Sequence, residues 1–201
     1  MNLNFSQLLE IFGKNFRLLN KSKHGFEREC LRVTQDGDLA QTPHPKTLGA
    51  AFANPYITTD FSEAQLELIT PPLSNERETL SFVDQIYTFV SHNLKGEYLW
   101  PTNMPCRLPD AKKIPLAYYG ESNEAKRKVL YREGLSARYG RKMQTVSGTH
   151  YNFSFSKEFW KFLHKKSAKN GQNLQDFTSE GYLRLIRNFL RYGWLNTYLF
   201  G

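Results

Sequence analysis

Gly25-Phe26-Glu27-Arg28-Glu29-Cys30-Leu31-Arg32-Val33 interleaves two carboxylates and two arginines on a segment whose last residues favour an extended chain. Gly25 breaks any helix running into it. On a strand, side chains alternate between faces, so Glu27, Glu29, Leu31 and Val33 share one side and Phe26, Arg28, Cys30 and Arg32 the other. Two carboxylates one strand step apart repel unless something positive lies near. Arginines, a bound cation or bulk water at a solvated edge would each serve, so what matters is whether other ligands converge on that face.

The chain around this stretch has 201 residues, 40% of them hydrophobic, 23% charged and 14% aromatic, which excludes wholesale disorder and allows a sizeable core. No run is apolar enough for a membrane span, and Glu10 and Lys14 interrupt the apolar pattern of the first twenty residues, so no signal peptide is expected. A cytoplasmic location follows as the expectation. Two cysteines, Cys30 and Cys106, with no CxxC pair, fit reduced thiols rather than a disulfide framework or a zinc site. The net charge of +8 is unevenly spread: residues 1–105 hold 9 Lys and Arg against 12 Asp and Glu, residues 106–201 hold 18 against 7. Such a division suits a site where cations meet anionic phosphates, or two halves that face each other.

Upstream, Phe5, Leu8, Leu9, Phe12, Phe16 and Leu19 predict an amphipathic helix over 5–19, and 21–25 a polar turn. Downstream, Asp36-Gly37 predicts a hairpin turn back to Leu39-Ala40. Lys46 to Phe52 reads as a short helix, Tyr56 to Thr59 as extended chain, and Ala64 to Thr70 as an alternating strand stopped by Pro71-Pro72. Ser74 or Asn75 caps a helix to about Leu94 that buries Leu80, Val83, Ile86, Tyr87 and Val90. A proline-punctuated stretch, 98–115, reads as a loop, and a helix capped by Ser122 or Asn123 runs to Tyr139 and stops at Gly140. Met143 to Ser156 alternates as one long strand with a bulge at Gly148; Lys157 to His164 is a short helix, and a last helix runs from Thr178 or Ser179 to about Leu199. Helices interspersed with antiparallel strands, without βαβ alternation, make the class α+β.

Three strands thus offer polar groups: Glu27 and Glu29; Glu63, Gln65 and Glu67 if that strand is unbroken, with Asp60 before it; and Gln144, His150 and Asn152. Carboxylates with one imidazole suit hard divalent cations, magnesium or manganese, better than zinc. Taken singly, His150 also reads as a core histidine, and Glu63, beside Asp60, as a solvated charge. Lys126, Arg127, Lys128, Arg132 and Arg138 on the 122–139 helix would neutralise phosphate, or form a solvated basic face beside Tyr131, Leu135 and Tyr139. Arg184, Arg187 and Arg191 read as the polar side of an amphipathic helix, and no nucleic-acid partner is expected.

Several motifs in order resemble the proteobacterial glutamate–cysteine ligases. They are Gly25 to Arg32; Thr58-Thr59-Asp60-Phe61-Ser62-Glu63-Ala64-Gln65-Leu66-Glu67-Leu68-Ile69-Thr70-Pro71; Trp100-Pro101-Thr102-Asn103-Met104-Pro105-Cys106; Leu130-Tyr131-Arg132-Glu133-Gly134-Leu135 with Arg138-Tyr139-Gly140; and Met143 to Ser154. The resemblance implies a curved, mostly antiparallel sheet with helices on one side, like glutamine synthetase and the guanidino kinases. It implies ATP-dependent joining of the γ-carboxyl of L-glutamate to the amino group of L-cysteine through γ-glutamyl phosphate, the first step of glutathione biosynthesis. By the same resemblance Glu27, Glu29, Asp60, Glu67 and His150 are ligands of Mg2+ (or Mn2+), Arg132 faces the phosphate, and Phe61, Tyr131, Leu135 and Gln144 line the cysteine pocket. Family members are more than twice this length. With the apolar stretch Trp194 to Gly201, that leads to the expectation that residues 1–201 are a single N-terminal catalytic region working with a C-terminal half, or an inactive folded or partner-bound module.

Overall fold

The computed structural model describes residues 5–13 and 15–201, leaving Lys14 and the side chains of Phe5 and Leu8 outside what is described. The chain divides into two compact units, residues 23–153 and a second assembled from residues 1–22 and 154–201.

In the larger unit β1 (Lys23–Thr34) is the central strand. β2 (Ile57–Thr59) and β3 (Gln65–Ile69) extend the sheet on one side of it in the order β2-β3-β1; β4 (Glu97–Leu99) and β5 (Thr149–Ser154) also pair with β1. The β1–β3, β1–β4 and β2–β3 pairings are antiparallel. At twelve residues β1 is long enough to serve different partners along its length: Glu27–Leu31 pair with β3 and Arg32–Thr34 with β4. Gly25 lies inside β1 rather than in a preceding turn, and a side chain there would touch Asn152. The hairpin after β1 forms as expected: Gly37 takes φ +79°, which glycine adopts without strain, and Thr34 N–H donates to the Asp38 carbonyl.

The two faces of β1 bury different cores. Cys30 packs with Leu66 and Leu68 of β3 against Ile86 and Val90 of α2 (Glu76–Asn93). Leu31 and Val33 pack with Leu39, Ala40, Ala64, Cys106 and Ile114 on the other face. The alternation read from the sequence therefore holds, and α2 covers the face opposite Glu27 and Glu29. Asn75 caps α2 by accepting from Glu78 N–H at 2.9 Å. Leu80 lies on the outer side of α2 and is 57% exposed, contrary to its expected burial, because Thr79, Ile86 and Val90 supply the inward stripe. α3 (Asn123–Tyr139) is capped by Ser122 and ends at Gly140, whose φ of +80° stops it.

Two other expectations change in this unit. The 46–52 helix shrinks to a 3-10 turn, Lys46–Leu48. The long strand from Met143 does not form: Met143–Thr145 is a 3-10 turn with Thr145 and Ser147 buried, and extended chain begins at Thr149. Tertiary burial of these two small polar residues overrides their β-propensity.

In the smaller unit, α1 (Phe5–Gly13) ends earlier than expected, and Phe16 and Leu19 fall in a 3-10 turn, Phe16–Lys21. α4 (Lys157–Ser167) and α5 (Leu174–Tyr192, capped by Asn173) bury Phe159, Trp160, Leu163 and Phe177 together. The expected final helix starts earlier and is divided at Gly193, after which α6 (Trp194–Phe200) follows. Among the described residues no helix is long and apolar enough to cross a membrane.

Candidate functional site

Glu29 and Glu67 are register partners across β1 and β3, and Glu27 pairs with Ile69 two residues away on the same face. Residues opposed in an antiparallel pair point the same way, so the two glutamates face each other, where like charges destabilise. Burial holds the Glu67 carboxyl up at about 7, helped by the charges of Asp60, Glu27 and Glu29 and opposed by His150. Burial likewise raises Glu29; the Gly148 N–H opposes it, the Asp60 charge adds to it, and His150 and Arg28 oppose. Asp60, just after β2, is raised by burial against the pull of Arg132.

β5 supplies the other wall. His150 Nδ1 is 3.1 Å from Glu27 Oε2, and Asn152 Nδ2 donates to Glu27 Oε1 at 2.7 Å. The bond between His150 and Glu27, and then the nearby carboxylates, raise the His150 imidazole above its ordinary value. Gly148 N–H donates to Glu29 Oε2 at 2.6 Å, while Glu29 N–H donates to the Gly148 carbonyl at 3.1 Å. A β-carbon on Gly148 would sit 3.4 Å from both Glu29 oxygens and from His150 Nε2. Gly148 is therefore no simple bulge; its missing side chain leaves open the space beside both groups.

Arg132, on α3, reaches the same place from another side. Its Nε donates to the Asp60 carbonyl, and its guanidinium lies 4.7 Å over the Tyr119 ring. Tyr119 in turn donates its hydroxyl to the Thr59 carbonyl at 2.6 Å, and Lys128 covers the same ring. Four carboxylates and an imidazole thus lie within electrostatic reach of one another, with the Arg132 guanidinium acting on Asp60. Among the described residues no three His, Cys, Asp or Glu side chains already converge as a metal-binding group. Glu27 and Glu29 are instead turned toward His150, Asn152 and Gly148. The donor set still fits hard divalent cations: it is oxygen-rich, contains no thiolate, and carries opposed negative charges that a cation would neutralise.

The other expected site residues are less gathered. Phe61 is 1% exposed, sealed in the core. Tyr131 is exposed on α3, and Leu135, a turn further on, is half-buried. Gln144 is half-buried in the 3-10 turn that packs against α3, off the β5 face shared by His150 and Asn152. Glu63 departs from the Glu67 face because a turn from Ser62 precedes β3; its carboxylate accepts from His44 N–H at 2.9 Å and Tyr118 N–H at 2.7 Å.

The family model for glutamate–cysteine ligase matches residues 9–201. The chain belongs to the glutamate–cysteine ligase family. It is 53% identical to a glutamate–cysteine ligase of Pseudomonas entomophila and 50% identical to one of Pseudomonas putida, each match covering 96% of this chain. It spans about a third of the length of these relatives, 36% and 37% respectively. Among solved structures, a Francisella tularensis glutamate–cysteine ligase in complex with AMP matches with a TM-score of 0.79 and 38% identity, over 87% of this chain and 34% of that one. A bifunctional glutathione synthetase from Pasteurella multocida matches with a TM-score of 0.85 and 39% identity, over 96% and 24%. The curved antiparallel α+β architecture is thus that of the glutamate–cysteine ligase family, present here in part.

Two features of the site lay outside the sequence-based site assignment. The backbone of Gly148 is one, signalled only by a glycine set between small polar residues just ahead of β5. The other is the bond from Asn152 to Glu27, foreshadowed by the shared parity of His150 and Asn152.

Proposed function

We propose that residues 1–201 are the N-terminal catalytic region of an ATP-dependent ligase that joins the γ-carboxyl of L-glutamate to the amino group of L-cysteine through γ-glutamyl phosphate, the first step of glutathione biosynthesis in the cytoplasm. The observation that carries this reading is the opposed pair Glu29 and Glu67, set beside Asp60, Glu27 and His150 and faced by Arg132. Partly buried like charges there are relieved either by a retained proton, as at Glu67, or by a bound cation, and the cation is the partner this reading assigns.

In this reading Glu27, Glu29, Asp60, Glu67 and His150 hold Mg2+, with Mn2+ as a substitute. Held there, a divalent cation would supply positive charge to offset the negative charge of phosphate oxygens. Arg132, braced by Tyr119 and the Asp60 carbonyl, presents a fixed guanidinium to the transferring phosphoryl group, where preorganised charge acts most strongly. His150 is kept oriented by Glu27. Tyr131, Leu135 and Gln144 contact the cysteine substrate. Phe61 joins that set by resemblance alone, since its sealed ring reaches a ligand only if the surrounding core moves. ATP and glutamate require further groups, consistent with a site completed by polypeptide equivalent to the remaining length of the relatives.

The experiment is Mg2+-dependent ADP release by the chain, alone and with that remaining polypeptide supplied, with mass-spectrometric detection of γ-glutamylcysteine. Release that needs both amino acids is expected once the length is complete. ADP release indifferent to cysteine, or no dipeptide, overturns the proposal. One observation favours a second reading, a module inactive on its own: α5 and α6 expose a broad apolar surface including Phe189, Leu190, Tyr198 and Phe200, suited to burial against a partner.

A further inference from the structure

Arg28 lies on the face of β1 opposite Glu27 and Glu29 and is only 9% exposed. Its guanidinium donates to Asn103 Oδ1, to Thr149 Oγ1 at 2.7 Å and to the Pro101 carbonyl at 3.0 Å. Asn103 in turn accepts from Ser147 N–H through its own carbonyl at 2.9 Å. Ser147 and Thr149 flank Gly148, whose N–H holds Glu29 Oε2 at 2.6 Å. One buried cation therefore fixes both neighbours of the peptide that aims the Glu29 carboxylate, and ties them to the 101–103 loop.

We propose that Arg28 is a positioning residue for the carboxylate site: by clamping Thr149 and Asn103 it sets the Gly148 peptide against Glu29, and so fixes the donor geometry offered to a divalent cation. It touches neither substrate nor reacting atoms, and a lysine cannot replace it, because one ammonium lacks the planar fork that spans three acceptors on two segments. Loss of a group that orients a metal ligand from behind typically costs about 10–100-fold in metal affinity. The inference rests on the proposed cation site; the bond it explains, from Gly148 N–H to Glu29 Oε2, is observed directly.

The test uses the 201-residue chain with Arg28→Lys, Asn103→Ala and Thr149→Val, reading two quantities. Amide hydrogen exchange at Gly148 is compared with that of Leu66 and Leu68 in β3, and Mn2+ affinity is followed by water-proton relaxation. Each variant is expected to speed Gly148 exchange while leaving β3 unchanged, and to weaken Mn2+ by about tenfold or more. Should Arg28→Lys fail to fold, the other two decide, since Asn103 and Thr149 are exposed. Wild-type Gly148 exchange in the variants, or faster exchange spread equally over β3, overturns the proposal. If the wild-type chain binds no Mn2+, the cation reading fails, and Gly148 exchange alone then decides the role of Arg28.

Discussion

Glu29 and Glu67 stand directly opposite each other across the β1–β3 ladder, each partly buried and each with its carboxyl raised above the ordinary range. The arrangement costs stability wherever both are ionised. Glu67, at about 7, lies above its reference of 4.5, so the folded chain holds that proton more tightly than the unfolded one. Its contribution is complete below pH 4.5 and is lost as pH rises through 7.

Glu67→Gln should therefore stabilise the cation-free chain at pH 8, by about 0.2–1 kcal/mol, and do little at pH 4.5. Urea midpoints at the two pH values measure this. The same substitution should abolish the proposed Mg2+-dependent turnover when the remaining polypeptide is supplied. A variant both destabilised at pH 8 and fully active would remove Glu67 from the site.

Gly148→Ala separates fold from function in another way. The added methyl meets Glu29 and His150 at ordinary contact distance, so the chain should fold with nearly unchanged stability. It occupies the space between them, however, and Mn2+ affinity should fall about tenfold or more. Titration calorimetry with Mn2+ beside a thermal melt tests both halves of the expectation.

Gly181 has a different reason to be glycine. A β-carbon there would fall well inside van der Waals contact of the Trp160 ring, itself 7% exposed and held by Phe155, Phe159, Phe177 and Tyr182. Alanine normally gains about 1 kcal/mol over glycine inside a helix. Here overpacking of about 1–3 kcal/mol should win, and Gly181→Ala should lower the melting temperature. Unchanged or higher stability would mean that α5 shifts away from Trp160 without cost.

Tyr87, on α2, approaches Arg28 and Cys30, and burial pushes its hydroxyl from 10 to about 12. A proton held more tightly in the folded state gives stability that is complete below pH 10 and declines through 12. The Tyr87 share of alkaline unfolding should therefore appear above pH 10, and Tyr87→Phe should flatten that part of the limb. Absorbance of tyrosinate at 295 nm, followed with circular dichroism, distinguishes ionisation from unfolding.

What the sequence disclosed is what alternation and capping control. The parity that put Glu27 and Glu29 together is a local property, and so are the Asp36-Gly37 turn and the Asn75 and Ser122 caps; all are present in the structure. Alternation also accounts for Glu67 facing Glu29 and for His150 and Asn152 both reaching Glu27. Glu63 was less legible because its carboxylate is captured by the backbone of His44 and Tyr118, far apart in the chain. The break before β5 was hidden for a similar reason. Nothing local to Met143–Ser147 says that Thr145 and Ser147 will be buried, or that Asn103 will hold the Ser147 amide. Arg28 read only as a charge on the face opposite the glutamates; its acceptors lie 73 to 121 residues away.

The split of β1 between two cores bears on how this segment can change. From Glu27 to Val33 every second residue is committed to one side, so losing or gaining a single position would exchange the sides for everything beyond it. Carboxylates would be driven under α2 and Cys30 turned toward His150 and Asn152, unless a bulge absorbed the change. Substitution can tune this strand residue by residue, but insertions and deletions should be confined to the hairpin at Asp36-Gly37 and to the loops after it, where length can drift without disturbing the count.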